Sequence, residues 1–256
     1  MESAFAYKRW HLDCVTWNMS DPPGGGNKMK YLRTKVWIAV AALILGAPSY
    51  ILAADAQPTA APVYKPPKRG NPGGRVGGGS RGIQRDVFVL SVLAPDHSGF
   101  TTSEQPSLYW YISNATSLPV ELTVMDPQGV QPILETRLPA PVKAGVHRVS
   151  LADHNIRLAP GAAYRWFVAV VPDAERRSKD ILAGGAIERV DVPAELTEKL
   201  GKARQSEVPF LYAEAGLWYD AVKAISDLIE AAPQDQTLRK QRASLLAQVG
   251  LAGISE

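Results

Sequence analysis

The chain has 256 residues, 46% of them hydrophobic and 21% charged, a globular mixture that excludes a wholly disordered or collagen-like polypeptide. Its 28 Lys and Arg against 25 Asp and Glu leave a formal charge of +3, too small a surplus to mark a nucleic-acid-binding surface. A single cysteine, Cys14, closes no internal disulfide and supplies no multi-cysteine zinc site.

Residues 1–28 are polar and end in Gly and Pro, and they separate a basic stretch from the N-terminus where export signals belong. They read as an upstream extension, with translation starting at Met29. Residues 29–56 then have the three parts of a signal peptide in order: the cations Lys30, Arg33 and Lys35, the apolar run from Val36 to Gly46, and Ala54-Asp55-Ala56 as the cleavage site. A membrane span needs about 20 apolar residues, and Pro48, Ser49 and Tyr50 interrupt this one too early. The expectation is an exported protein, periplasmic or secreted, cut near Ala56 and left with no membrane span. Residues 1–56 hold six of the cations and four of the acids, so 22 basic residues face 21 acidic ones in the remainder, which has no cysteine. That composition suits an oxidising compartment.

Residues 57–85 form a Pro- and Gly-rich arm with no apolar period, which should carry no core. Its cations Lys65, Lys68, Arg69, Arg75, Arg81 and Arg85 precede the first acid, Asp86. A one-signed segment produces a local field that the balanced remainder lacks, so Arg69, Arg75 and Arg81 are candidate contacts to an acidic surface or an anionic envelope component. Gly77-Gly-Gly79-Ser-Arg-Gly82 satisfies G-x-G-x-x-G, and Gly78-Gly-Ser80-Arg-Gly82 satisfies G-x-S-x-G. Both motifs need a strand before and a helix after, and this tract has neither. No cofactor is therefore expected.

Residues 86–190 change to period two. Leu108, Trp110 and Ile112 alternate with Tyr109 and Tyr111, and Val120, Leu122 and Val124 alternate with Glu121, Thr123 and Met125. Strands are also expected from Val87 to Leu93 and over 132–138, 146–151, 163–171 and, more weakly, 186–190. About seven short strands in roughly a hundred residues is the pattern of an immunoglobulin-like or fibronectin III-like β-sandwich. Leu158-Ala-Pro160-Gly-Ala-Ala-Tyr164-Arg-Trp166 resembles the tyrosine corner that opens a late strand of such sandwiches. Tyr109, Trp110, Tyr111 and Trp166 could form a sugar-stacking platform, but alternating strand aromatics read first as core.

Residues 191–256 switch to helical spacing, with helices expected over 193–201, 209–215, 218–232 and 236–249. Tyr212, Gly216, Trp218, Ala221 and Pro233 stand at the relative spacings of a tetratricopeptide repeat, and Leu246 and Gly250 follow Tyr212 and Gly216 by that repeat's 34-residue period. One and a half repeats close no solenoid, so these helices must pack on the sandwich or on a partner. Trp218 and Tyr219 point about 100° apart on a helix and cannot share the centre of one buried stripe. Trp218 is read as packed, leaving Tyr219 and Asp220 as candidate contacts to another molecule.

The arm Pro66-Pro67-Lys-Arg69-Gly70-Asn-Pro72-Gly73-Gly74-Arg75-Val-Gly77-Gly78-Gly79-Ser80-Arg81-Gly82, with Tyr164-Arg-Trp166, Gly185-Ala-Ile187-Glu-Arg189-Val190 and Gly216-Leu-Trp218-Tyr219-Asp220-Ala221, resembles a family of secreted bacterial proteins, common in cyanobacteria, catalogued as a domain of unknown function. The resemblance implies export and a sandwich followed by helices, and it implies no activity. The remaining residues offer little chemistry. His97, His147 and His154 form no metal-ligand spacing, and Asp96-His97-Ser98 and Asp153-His154 read as turns. The expectation is a non-enzymatic envelope or secreted interaction protein. The competing class is an exported hydrolase or carbohydrate-binding protein with its site in the sandwich loops, recognisable by a cleft joining His97, Asp153 or His154 to a nucleophile or paired carboxylate.

Overall fold

Period-two burial builds most of the chain between Val89 and Arg189. In the computed structural model, which describes residues 60–67, 75–79 and 89–254, strand β5 (Val120–Met125) buries Val120, Leu122 and Val124 while its other residues stay half-exposed. Strand β8 (Ala163–Val170) buries Tyr164, Trp166 and Val168 on the same face. Around them lie β1 (Gly78–Gly79), β2 (Val89–Val92), β3 (Gly99–Thr101), β4 (Ser107–Ile112), β6 (Pro132–Arg137), β7 (Gly145–Ser150) and β9 (Ile181–Arg189). They form a four-stranded sheet in the order β1-β2-β4-β7 and a five-stranded sheet in the order β3-β9-β8-β5-β6. All pairings are antiparallel except β3 with β9. The expected signal peptide of residues 29–56 and the expected extension before it lie outside the described residues.

Three strands depart from expectation, the first being β1, which lies in the arm where no strand is expected. β3 is Gly-Phe-Thr, too short to show alternation, and β9 begins five residues earlier than its expected start at Ala186. The missed half of β9 contains Ala183-Gly184-Gly185, small because bulky neighbours lie over it. A Cβ at Gly184 would stand 2.4 Å from the Phe167 ring. The aromatics of β4 and β8 are core: Tyr109, Trp110, Tyr111 and Trp166 are all buried.

Four helices follow: α1 (Ala194–Lys202), α2 (Val208–Glu214), α3 (Trp218–Ala231) and α4 (Gln236–Ala247). The α2–α3 turn holds Gly216 at φ +77, a left-handed conformation that a side chain would strain. The Asp235 side chain caps α4 by accepting from the Thr237 and Leu238 amides. Helix α3 packs on both α2 and α4 and, on its other side, on β3 and β4. It is therefore enclosed from two directions.

The arm does carry core, contrary to expectation. Tyr64 is 6% exposed and belongs to the hydrophobic cluster, edge-on to Trp218 and stacked with His97. Side-chain amides make this possible in a segment without apolar period, because they hydrogen-bond to its backbone. Further along, Val76 exchanges two backbone hydrogen bonds with Gly184, and β1 extends the other sheet, so the arm touches both sheets.

Candidate functional site

Three of the expected contact residues, Arg75, Tyr219 and Asp220, are engaged within the chain. Arg69 and Arg81 lie outside the described residues. Arg75 donates to the carbonyls of Ala94 at 3.2 Å and Val249 at 2.8 Å, joining the end of β2 to the residues after α4. Tyr219 and Asp220 are corrected as outward contacts: they are 2% and 8% exposed. Residues 100° apart cannot share one buried stripe, but α3 has two. Trp218 faces one, donating to the Leu93 carbonyl at 2.8 Å. Tyr219 faces β8 and β9, where its hydroxyl accepts from Trp166 Nε1 at 2.9 Å and donates to the Ala186 carbonyl at 3.0 Å. Burial pushes its phenol well above the ordinary range, so the hydroxyl stays neutral and keeps both roles. Asp220 accepts from the Thr101 hydroxyl at 2.8 Å, the Thr102 amide at 2.7 Å and the Thr102 hydroxyl at 3.1 Å. Burial raises its pKa, opposed by these donors and by Lys223.

Two clefts flank α3. The larger, about 580 Å³, lies over α2 and α3 and is lined by Thr102, Tyr212, Asp220, Lys223, Asp227 and Leu228 among others. The cation on its wall, Lys223, is paired with Asp227 at 2.5 Å, so its charge is locally balanced.

The smaller cleft, about 320 Å³, has more cations than carboxylates on its walls. It opens where β4 and β7 meet α3 and α4, with Tyr109, His147, Arg148, Ser226, Glu230, Arg239 and Arg242 among its walls. Antiparallel register puts Tyr109 opposite Arg148, hence on one face of the sheet, while Arg239 and Arg242 stand one turn apart on α4. Arg242 is 6% exposed and donates to Ser226 Oγ at 2.9 Å. Burial lowers its pKa to about 10, with the Arg239 charge pulling the same way, and it remains a cation at neutral pH. Arg148 reaches Glu230 at 3.4 Å and Asp227 at 3.6 Å. Tyr109 is 2% exposed, and its hydroxyl has no partner at hydrogen-bond geometry among the described residues. Burial raises its pKa, as does Asp227, while Arg148 beside it acts in the opposite sense. His147 stacks on Trp110 at 4.5 Å between ring centres, on the sheet face opposite Tyr109 and Arg148. Three guanidinium groups and a phenol thus line a pocket whose only lining carboxylate, among the described residues, is Glu230, an arrangement suited to accepting a carboxylate or a phosphate.

Composition gave no sign of this cleft, because its residues come from four elements. The one local signal was Arg239 and Arg242 at i and i+3. The histidines noted for possible catalysis lie elsewhere. His97 is held by Tyr64 Oη at 3.0 Å and by Asp96 at 3.2 Å, and Asp153 and His154 lie in a tight turn after β7. Among the described residues no cluster of three or more His, Cys, Asp or Glu is placed to hold a metal, and no helix is long and apolar enough to cross a membrane.

No curated protein matches the chain. Residues 76–256, from the glycine-rich arm through both sheets and all four helices, match the family described as Domain of Unknown Function (DUF928), and the chain belongs to that family.

Proposed function

We propose that this is an exported, non-enzymatic interaction protein of the cell envelope or exterior, which takes an anionic group of its partner into the cleft between β7 and α4. The observation that carries this reading is the convergence of Arg148, Arg239 and Arg242 on one pocket with the buried Tyr109 hydroxyl at its wall. A guanidinium pairs bidentately with carboxylate or phosphate, and a partly desolvated pocket strengthens each pair. Export rests on the n-region, apolar run and Ala-Asp-Ala site of residues 29–56. The cations Arg69 and Arg81 of the arm add to the attraction at longer range.

The sandwich is of the immunoglobulin or fibronectin III kind. Supporting this are the sheet order β9-β8-β5-β6, equivalent to G-F-C-C′, and the Tyr164 hydroxyl, which accepts from the Ala159 amide at 3.0 Å as a tyrosine corner does. The helices are tetratricopeptide-like, supported by Gly216 at the α2–α3 turn and by Ala221 fully buried.

Co-sedimentation of the purified protein with isolated envelope tests the function. The parent is expected to bind at low salt and to release as salt rises, and Arg148→Gln/Arg239→Gln is expected to bind at least about tenfold more weakly. Equal binding of parent and variant would overturn the reading.

A further inference from the structure

Residues 60–67, Ala-Ala-Pro-Val-Tyr-Lys-Pro-Pro, lie on the helices in the manner of a bound peptide. The Gln248 carboxamide accepts from the Tyr64 amide at 2.8 Å and donates to the Pro62 carbonyl at 2.8 Å. Gln241 donates to the Ala60 carbonyl at 3.1 Å, and the Lys65 amide donates to the Ala213 carbonyl at 3.0 Å. These bonds read the backbone and not the side chains. Selectivity comes from one aromatic anchor, Tyr64, which enters between Trp218 and His97 and bonds His97 through its hydroxyl. A cation follows, Lys65, paired with Glu214 at 2.7 Å. A two-pronged amide clamp, an aromatic pocket and an acid placed for the next residue are the parts by which a protein recognises an extended segment in trans, and proline restricts that segment's unbound conformations.

We propose that the helical module carries a peptide-recognition groove, filled in this structure by the chain's own residues 60–67 and able to receive the same residues of a second copy. The second copy is the polypeptide whose fit the contacts demonstrate, since it bears the same anchor, cation and prolines. Exchange of identical elements between protomers has little intrinsic cost, because each groove holds the same segment through the same bonds before and after the exchange. The groove is separate from the arginine cleft, so its failure would leave the anion reading standing.

The test uses two full-length variants with complementary defects. Tyr64→Ala keeps the groove and loses the anchor, and Gln248→Ala keeps the anchor and loses the clamp. A fluorescent peptide of residues 60–67 is expected to bind Tyr64→Ala saturably, and to bind Gln248→Ala or the parent at least about tenfold more weakly. Sedimentation of the two variants mixed is expected to show a heterodimer beyond the dimer that either forms alone. Peptide binding without heterodimer would overturn the second copy as occupant, and no peptide binding by a folded Tyr64→Ala would overturn the groove. Should Tyr64→Ala not fold, hydrogen exchange on the parent decides. The Tyr64 and Lys65 amides are expected to exchange about 100-fold faster than those of β8, because the segment leaves without global unfolding. Equal protection would overturn the inference.

Discussion

Trp218 and Tyr219 are sequence neighbours buried in different directions, and their substitutions separate packing from hydrogen bonding. Trp218→Ala removes a fully buried ring and leaves the Leu93 carbonyl without its donor, so a loss of about 3–5 kcal/mol is expected in denaturant melts. Tyr219→Phe keeps the ring and removes one hydroxyl that serves Trp166 and Ala186. About 1–3 kcal/mol should follow, since two buried polar groups lose a partner. Arg75 is held within the fold. Because its guanidinium bonds to two backbone carbonyls, Arg75→Gln should lower the melting temperature, and Arg69→Gln/Arg81→Gln should weaken salt-sensitive envelope association.

Helices and long strands were legible in the sequence because each has a strong period. Expected helices at 209–215 and 218–232 became α2 at Val208–Glu214 and α3 at Trp218–Ala231. Legibility failed where a neighbour dictates the residue. The small residues of β9 answer to the Phe167 and Trp166 rings, and nothing in the local sequence announces those rings. The docked segment was hidden for a related reason: it is held through its backbone by Gln241 and Gln248, nearly two hundred residues away in the chain. Gly216 combines both constraints. A Cβ there would meet the Lys65 carbonyl at 2.8 Å as well as straining a left-handed turn. Gly216→Ala is therefore expected to cost about 1–2 kcal/mol and to raise the exchange rate of the Lys65 amide more than that of β8 amides.

Across the whole molecule the charge is nearly balanced, so binding depends on where charges meet and not on how many there are. Sheet register brings Arg148 beside Tyr109, and the packing of α4 on α3 brings Arg239 and Arg242 to the same pocket. No short window of sequence contains that cleft, whose arginines run from Arg148 on a strand to Arg242 on the last helix. A photo-crosslinking residue placed at Glu230, on the cleft wall, tests this claim most directly in intact cells. Val130 serves as a control site because it is 73% exposed and does not line the cleft. Adducts to an envelope component should form from position 230, fall when Arg148→Gln/Arg239→Gln is introduced, and be absent from position 130. Adducts of equal yield from both positions, or undiminished in the double variant, would contradict the assignment of the partner's anionic group to this cleft.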